Sequence, residues 1–198
     1  MHQLLIATGN SHKTAEIRAM LGPEYEVSDL KAHPELPVVE ETGTTFLENA
    51  TLKAVEISKQ VAGLVMADDS GLEVDALGGA PGVYSARYAS MAGEGAGDEA
   101  NNARLLRELA GEQNRTARFH CVIVLAENGE VLGSFDGAVE GRIIDEEQGQ
   151  GGFGYDPLFM PDGHSRSFAE LGEDIKNRLS HRACAMQKVI HWLAPSAK

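Results

Sequence analysis

Two aspartates stand side by side at positions 68 and 69, directly after the apolar run "LVMA" and within the stretch "VMADDSGLEVD". Adjacent like charges disfavour each other's ionised form, so Asp68 and Asp69 at the end of a strand are either solvated or held by a cation. A second acidic pair, Glu40 and Glu41, lies in an upstream loop. Carboxylates from two loops suit Mg2+, which is usually held by one or two of them plus water and substrate phosphates. In a chain this acidic, a plain solvated loop is the alternative for Glu40 and Glu41.

Positive charge recurs in three places. Thr8, Gly9, Asn10, Ser11, His12 and Lys13 form "TGNSHK" between an apolar run and a helix-like segment. Small polar residues there expose backbone N–H groups at a helix N-terminus, which suits a phosphate, and Lys13 adds a full charge. The P-loop pattern is absent, because Gly9 precedes Lys13 by only four positions and residue 12 is His. A capped helix start with an exposed lysine is the other reading. Lys53 sits on a helical face one turn after Asn49. Lys176, Arg178, His181 and Arg182 fall within seven positions, at a predicted helix N-terminus. Cations oppose the dipole there, so a bound anion would relieve them. In "GGFGYDP", Phe153 and Tyr155 sit among glycines ahead of Asp156. They can stack on a base with a carboxylate near its ring N–H groups, or anchor the loop in the core. Trp192 and His2, His33, His120, His164 and His191 show no ligand or triad spacing.

The elements that must position these residues follow from periodicity and turn chemistry. Residues 4–7 read as a strand, 11–21 as a helix stopped by Gly22-Pro23, and 24–30 as a second strand. "TFLE" has the form of a capping box with Thr45 and Glu48, predicting a helix from there to about Ala62. Residues 64–67 read as a buried strand ending at the acids, with Ser70-Gly71 as a turn and "LGGAPG" at 77–82 as a loop. A helix is predicted over 98–109 from an Asp cap. Strands 118–126 and 131–139 flank Asn128-Gly129, a strong hairpin signal. A loop at 149–157, a strand near 158–160 and a helix from a Ser180 cap complete the chain. Helical units combined with a hairpin predict an α/β protein with a mixed sheet and flanking helices, not a wholly parallel one.

The chain has 198 residues, 42% of them hydrophobic, enough for one substantial core or two lobes on one sheet. Its formal charge of −13, from 30 acids against 17 Lys and Arg, argues against nonspecific binding to nucleic acid. Cys121 and Cys184 lack metal-ligand spacing and read as reduced core thiols. Neither a signal peptide nor an apolar run long enough to span a membrane is present, so the expectation is a cytoplasmic protein without a membrane partner.

Taken in order, "TGNSHK", "EETGTTFLENATLKA", "ADDSGLEVDALGGAPGVYSARYA", "RFHCVIVL", "GGFGYDPLF" and "LSHRACA" resemble the inosine/xanthosine triphosphate pyrophosphatase family, which removes noncanonical purine nucleotides. The six blocks cover nearly the whole chain. The resemblance implies Mg2+-dependent hydrolysis of ITP, dITP and XTP to the monophosphate and pyrophosphate. It implies a homodimer and a single domain, 1–198, elongated, with two lobes around a substrate cleft. Thr8, Gly9, Asn10, Ser11, His12 and Lys13 would cradle phosphate with Lys53. Asp69 would be the catalytic base and, with Glu40 or else Glu41, a metal ligand. Ser70 would contact substrate, while Phe153, Gly154, Tyr155, Asp156, Lys176, His181 and Arg182 would hold the base and nearby phosphates. Residues 90–102 match no motif of the family. Two rivals stand beside this: a phosphatase with a nucleophilic Asp, weakened because its Asp-x-Asp pattern is missing, and a nucleotide-binding module without turnover.

Overall fold

A six-stranded sheet organises the computed structural model, which describes residues 2–194. In chain order the elements are β1 (His2–Ile6), α1 (Ser11–Leu21), β2 (Tyr25–Asp29), α2 (Phe46–Ser58), β3 (Leu64–Val74), α3 (Tyr88–Met91), α4 (Asp98–Glu108), β4 (Thr116–Glu127), β5 (Glu130–Ile143), β6 (Phe159–Pro161), α5 (Phe168–Leu171), α6 (Glu173–Leu179) and α7 (His181–Leu193). The strand order is β2-β1-β3-β4-β5-β6. β1 pairs in parallel with β2 and with β3, whereas β5 and β6 are antiparallel. The sheet is therefore mixed, as the combination of helical crossovers and a hairpin predicts. The hairpin turns at Asn128 and Gly129, with φ of 53° and 83°, the left-handed pair that a two-residue turn demands.

The described residues divide into two compact units, one of residues 2–69, 121–137 and 182–194, the other of 70–120 and 138–181. The first unit's core joins Leu4, Ile6, Ile17, Leu21, Met66, Ile123, Met186 and Val189. It draws on α1, α7 and the strands they cover, so the apolar stripe of each helix is what seats it. In the second unit Leu72, Val74, Leu105, Leu109, Phe119, Ile143, Tyr155, Leu158, Phe159 and Phe168 form a core of their own.

Four expectations need correction. The strand does not stop at Ala67: β3 is continuous over Leu64–Val74 and carries Asp68, Asp69, Ser70 and Gly71 in its middle. Charge breaks the apolar run without breaking the ladder, because both carboxylates find cations inside the first unit. α2 ends at Ser58 rather than near Ala62. α4 starts at Asp98 with Gly97 as cap residue, and no side chain caps it. The basic segment is not one helix N-terminus: Lys176 and Arg178 occupy the last turn of α6, where the dipole favours cations, while His181 and Arg182 open α7.

Candidate active site

Within β3 successive side chains point to opposite faces, so the two adjacent acids serve different surroundings. Asp68 is 1% exposed. Its Oδ2 lies 2.9 Å from Lys13 Nζ and accepts from Arg182 Nη2 at 3.0 Å and Nε at 3.3 Å. Arg182 Nη1 also donates to Glu16 on α1. Burial alone would raise the Asp68 pKa, but Lys13, Arg182 and Lys53 outweigh it and hold the carboxyl well below the usual range. Asp68 is thus a fixed anion around which α1 and α7 are seated.

Asp69 belongs to the surroundings of α2. Its Oδ2 accepts from Asn49 Nδ2 at 3.2 Å, and its Oδ1 from Lys53 Nζ at 3.3 Å. Lys53 Nζ also donates to Glu41 Oε1 at 2.6 Å and to the Asp68 carbonyl at 2.8 Å. Burial pushes the Asp69 pKa up, and Glu41 adds to that, against the opposing pull of Lys53, Lys13 and the Asn49 hydrogen bond. A carboxylate with a raised pKa is a better proton acceptor than an ordinary surface aspartate. Lys53 is buried, which would lower its pKa, yet Asp69, Asp68 and Glu41 raise it above the ordinary lysine value.

The capping box explains why these α2 groups are so placed. Thr45 Oγ1 accepts from Glu48 N, and Glu48 Oε2 accepts from Thr45 N at 3.1 Å, which fixes the helix start. Asn49 and Lys53 then follow one turn apart on one face. Gly43 N donates to Asn49 Oδ1 at 2.8 Å, which orients the amide so that its NH2 faces Asp69. A Cβ at residue 43 would come within 2.6 Å of Glu48 Cβ and 2.7 Å of Asn49 Oδ1, so only glycine lets the loop approach this closely.

At the start of α1, Thr8 Oγ1 accepts from Asn10 N at 3.1 Å, and Asn10 Oδ1 accepts from His12 N at 2.9 Å and Lys13 N at 3.4 Å. Gly9, Ser11 and His12 are exposed, and Ser11 Oγ accepts from Lys31. The segment therefore caps its own helix and also delivers Lys13 to Asp68. The capped helix start is present, but Lys13 is not the exposed lysine of that reading, because Asp68 holds it.

Of the upstream acid pair, Glu41 reaches the cluster through Lys53, whereas Glu40 is exposed. Among the described residues no group of three or more His, Cys, Asp or Glu converges as a metal cage. Glu41 and Asp69 do converge on one cation, the Lys53 ammonium. A two-carboxylate set of this kind fits Mg2+, which takes its remaining ligands from water and phosphate.

The second unit carries its own polar group. Asp156 and Lys176 are 2% and 3% exposed and pair at 2.6 Å. Asp156 Oδ2 also accepts from Phe153 N at 2.9 Å, and the Lys176 ammonium lies 4.2 Å from the Phe153 ring centroid. A Cβ at Gly152 would sit 2.1 Å from Asp156 Oδ2, so the loop needs glycine to wrap the carboxylate. Tyr155 is buried and donates its hydroxyl to the Ser85 carbonyl at 2.9 Å, making it the core anchor while Phe153 keeps a partly exposed ring. His181 is 5% exposed and stacks on Phe119, with centroids 4.9 Å apart. Ser70 is half-buried in β3. Arg182, read from the sequence as a donor to a base, instead gives its guanidinium to Asp68 and Glu16.

Sequence reasoning gave no site role to Glu16, Asp98 or Asn102, and read Asp98 only as a helix cap. Glu16 had a local signal, since it lies one turn after Lys13 on α1. Asp98 and Asn102 share a face of α4 and meet the loop at Gly154, a contact across more than 50 residues that spacing does not encode.

An α/β protein with a mixed sheet, whose central strand holds two carboxylates against partly buried lysines, defines a class suited to phosphate chemistry. The model of the Ham1 family matches residues 4–192, and the chain belongs to that family. It is 50% identical over 198 residues to the dITP/XTP pyrophosphatase of an Exiguobacterium species, covering 99% of each chain. It is 46% identical to that of Bacillus subtilis, covering 96% of each. Among solved structures it is similar to the Staphylococcus aureus Ham1 protein, with 41% identity, a TM-score of 0.85 and coverage of 96% of this chain and 97% of the other. A Ham1 protein from Coxiella burnetii gives 41% identity and a TM-score of 0.86, covering 98% of both.

Proposed function

We propose that this chain hydrolyses noncanonical purine nucleoside triphosphates, dITP, ITP and XTP, to the monophosphate and pyrophosphate, keeping them out of DNA and RNA. The observation that carries the reading is the convergence of Lys13 and Lys53 on two adjacent carboxylates of β3, in a Ham1 family chain half identical to a dITP/XTP pyrophosphatase. Phosphoryl transfer asks mainly for charge neutralisation and positioning, which this cluster is built to give.

Lys13 and Lys53 receive the phosphate oxygens together with the polar segment of Thr8, Gly9, Asn10, Ser11 and His12, within which the Asn10 and His12 amides are already held by Thr8 Oγ1 and Asn10 Oδ1. Asp69 accepts the proton of a water whose oxygen bonds to the α-phosphorus as the bond to the bridging oxygen breaks and pyrophosphate leaves. Asn49 and Lys53 hold Asp69 in place for that transfer. Asp69 with a carboxylate of the Glu40-Glu41 pair would hold Mg2+, and Glu41 is the member already in the cluster. Bound there, the metal would neutralise phosphate charge and acidify water. In the second unit Phe153 offers a ring face to the purine, and Lys176, held by Asp156, is a donor suited to an oxygen at the purine 6-position. Adenine has an amino group there and cannot accept. Ser70 and His181 complete the substrate contacts, and Arg182 holds Asp68 in place. The chain works as one domain, as a homodimer in the cytoplasm. Among the described residues no helix is long and apolar enough to cross a membrane.

The test is a panel of ITP, dITP, XTP, dGTP, ATP and dUTP with Mg2+, with pyrophosphate and inorganic phosphate scored separately. Pyrophosphate from ITP, dITP and XTP well ahead of ATP is expected. Inorganic phosphate without pyrophosphate would indicate a phosphatase, and tight ITP binding without products a binding module; either result overturns the proposal.

A further inference from the structure

The segment that matches no motif of the family ends in the first turns of α4, and two of its side chains grip the loop that carries Phe153. Asp98 Oδ2 accepts from Gly154 N at 2.6 Å, and Asn102 Nδ2 donates to the Gly154 carbonyl at 3.2 Å. One residue is thus held through both of its backbone polar groups by side chains spaced i, i+4 on one helix face. We propose that Asp98 and Asn102 are positioning residues for purine recognition: their clasp on Gly154 sets the Phe153 ring and the loop amides that receive the base. The inference rests on the functional reading above.

The local chemistry separates this role from ordinary helix stabilisation. An Asp in the first turn favours the dipole wherever it points, but the Asp98 carboxylate leaves the helix uncapped and turns to the loop. The neighbouring Asn101 does the structural work, with Oδ1 accepting from Ala89 N at 2.8 Å and Nδ2 donating to the Ala86 carbonyl at 3.3 Å. Asn102 is different. It is 3% exposed, and its Oδ1 is buried without a hydrogen-bond donor among the described residues. A buried amide half-satisfied in this way is a poor choice for stability alone.

The clasp acts where the loop backbone is most permissive, at the glycines either side of Phe153. Gly152 and Gly154 have φ of 76° and 63° and flank Phe153 with permissive backbone. On one side Phe153 N is tied to Asp156 Oδ2. On the other, the two α4 side chains are the ties to Gly154. Without them the peptide between Phe153 and Gly154 keeps only the long bond from Asp156 N to the Phe153 carbonyl, at 3.3 Å, and the ring is held less firmly over Lys176.

The experiment compares wild type with Asp98→Ala, Asn102→Ala and Asp98→Asn, measuring kcat and KM for ITP and ATP and amide hydrogen exchange at Gly154. The two alanine variants are expected to raise KM for ITP by about tenfold, keep kcat within about twofold and narrow the preference for ITP over ATP. Exchange at Gly154 should quicken in Asp98→Ala. Asp98→Asn should recover most of the loss, because its amide oxygen can accept the same N–H. Unchanged KM and preference in both alanine variants overturn the inference, as does Asp98→Asn being as impaired as Asp98→Ala, which would make charge the operative property. A wild type that releases no pyrophosphate from ITP overturns the functional reading instead, and with it the role given to the clasp. An active wild type with unaffected variants removes the clasp alone.

Discussion

Asp68 and Asp69 share a residue type, a strand and a peptide bond, yet the period of the strand sends them to opposite partners. Asp68 meets Lys13 and Arg182, and Asp69 meets Asn49 and Lys53. Replacing each by Asn should therefore have different consequences. Asp68→Asn leaves Arg182 and Lys13 buried with one countercharge fewer, and removing one member of a buried ion pair costs about 3–5 kcal/mol. Asp69→Asn removes a carboxylate whose ionised form is already disfavoured by burial, so stability should change little. Loss of a general base costs about 10²–10⁴-fold in kcat, and that is the fall expected for Asp69→Asn. Urea unfolding and steady-state kinetics on both variants check the contrast; an Asp69→Asn enzyme at wild-type rate would strip Asp69 of its role. The acid pair itself was legible in the sequence because adjacency is local. Which acid does what was not, because Arg182 is 114 positions from Asp68.

The elements tell the same story with shorter reach. The capping box of α2 was readable because Thr45 and Glu48 are three residues apart, and the hairpin at Asn128-Gly129 because its turn chemistry is confined to two residues. The end of α2 was not, since the chain leaves the helix where Ser58 Oγ accepts from Gly129 N at 3.0 Å, 71 positions on. α6 went unread because it is only seven residues long, and its apolar face is reduced to Ile175 and Leu179. The cap also makes a prediction. Glu48 accepts from Thr44 N, Thr44 Oγ1 and Thr45 N, bonds that hold its pKa below the ordinary value. A carboxyl depressed in the folded state lends stability above its unfolded pKa and loses that contribution as pH falls through the folded one. Thr45→Ala should cost about 1 kcal/mol. Glu48→Gln should flatten the acid limb of the stability profile, measured by denaturant midpoints between neutral and acidic pH. A Glu48→Gln profile as steep as wild type would show that the cap does not supply that limb. Because α2 carries Asn49 and Lys53, both variants should also lower kcat modestly.

For the whole molecule the charge balance, legible from composition alone, turns into a statement about the metal. The chain carries −13, so a nucleoside triphosphate approaches a like-charged protein and must find compensation locally. The cations gathered at the β3 acids do not offer a surplus. Lys13 and Arg182 are spent on Asp68 and Glu16, and Lys53 on Glu41 and Asp69. Three cations thus face four carboxylates. In the second unit Lys176 is matched by Asp156. A polyphosphate entering such surroundings needs additional positive charge, and the carboxylates that converge on Lys53 are the groups to bind it. The expected outcome is therefore a strict metal requirement. Chelation with EDTA should lower turnover of ITP by at least about two orders of magnitude, and Mg2+ at concentrations comparable to the nucleotide should restore it. Ca2+, larger and content with irregular coordination, should restore binding better than turnover. Full activity in the chelated protein would mean that Lys13 and Lys53 neutralise the phosphates unaided, and that their carboxylate partners yield to the substrate rather than to a metal.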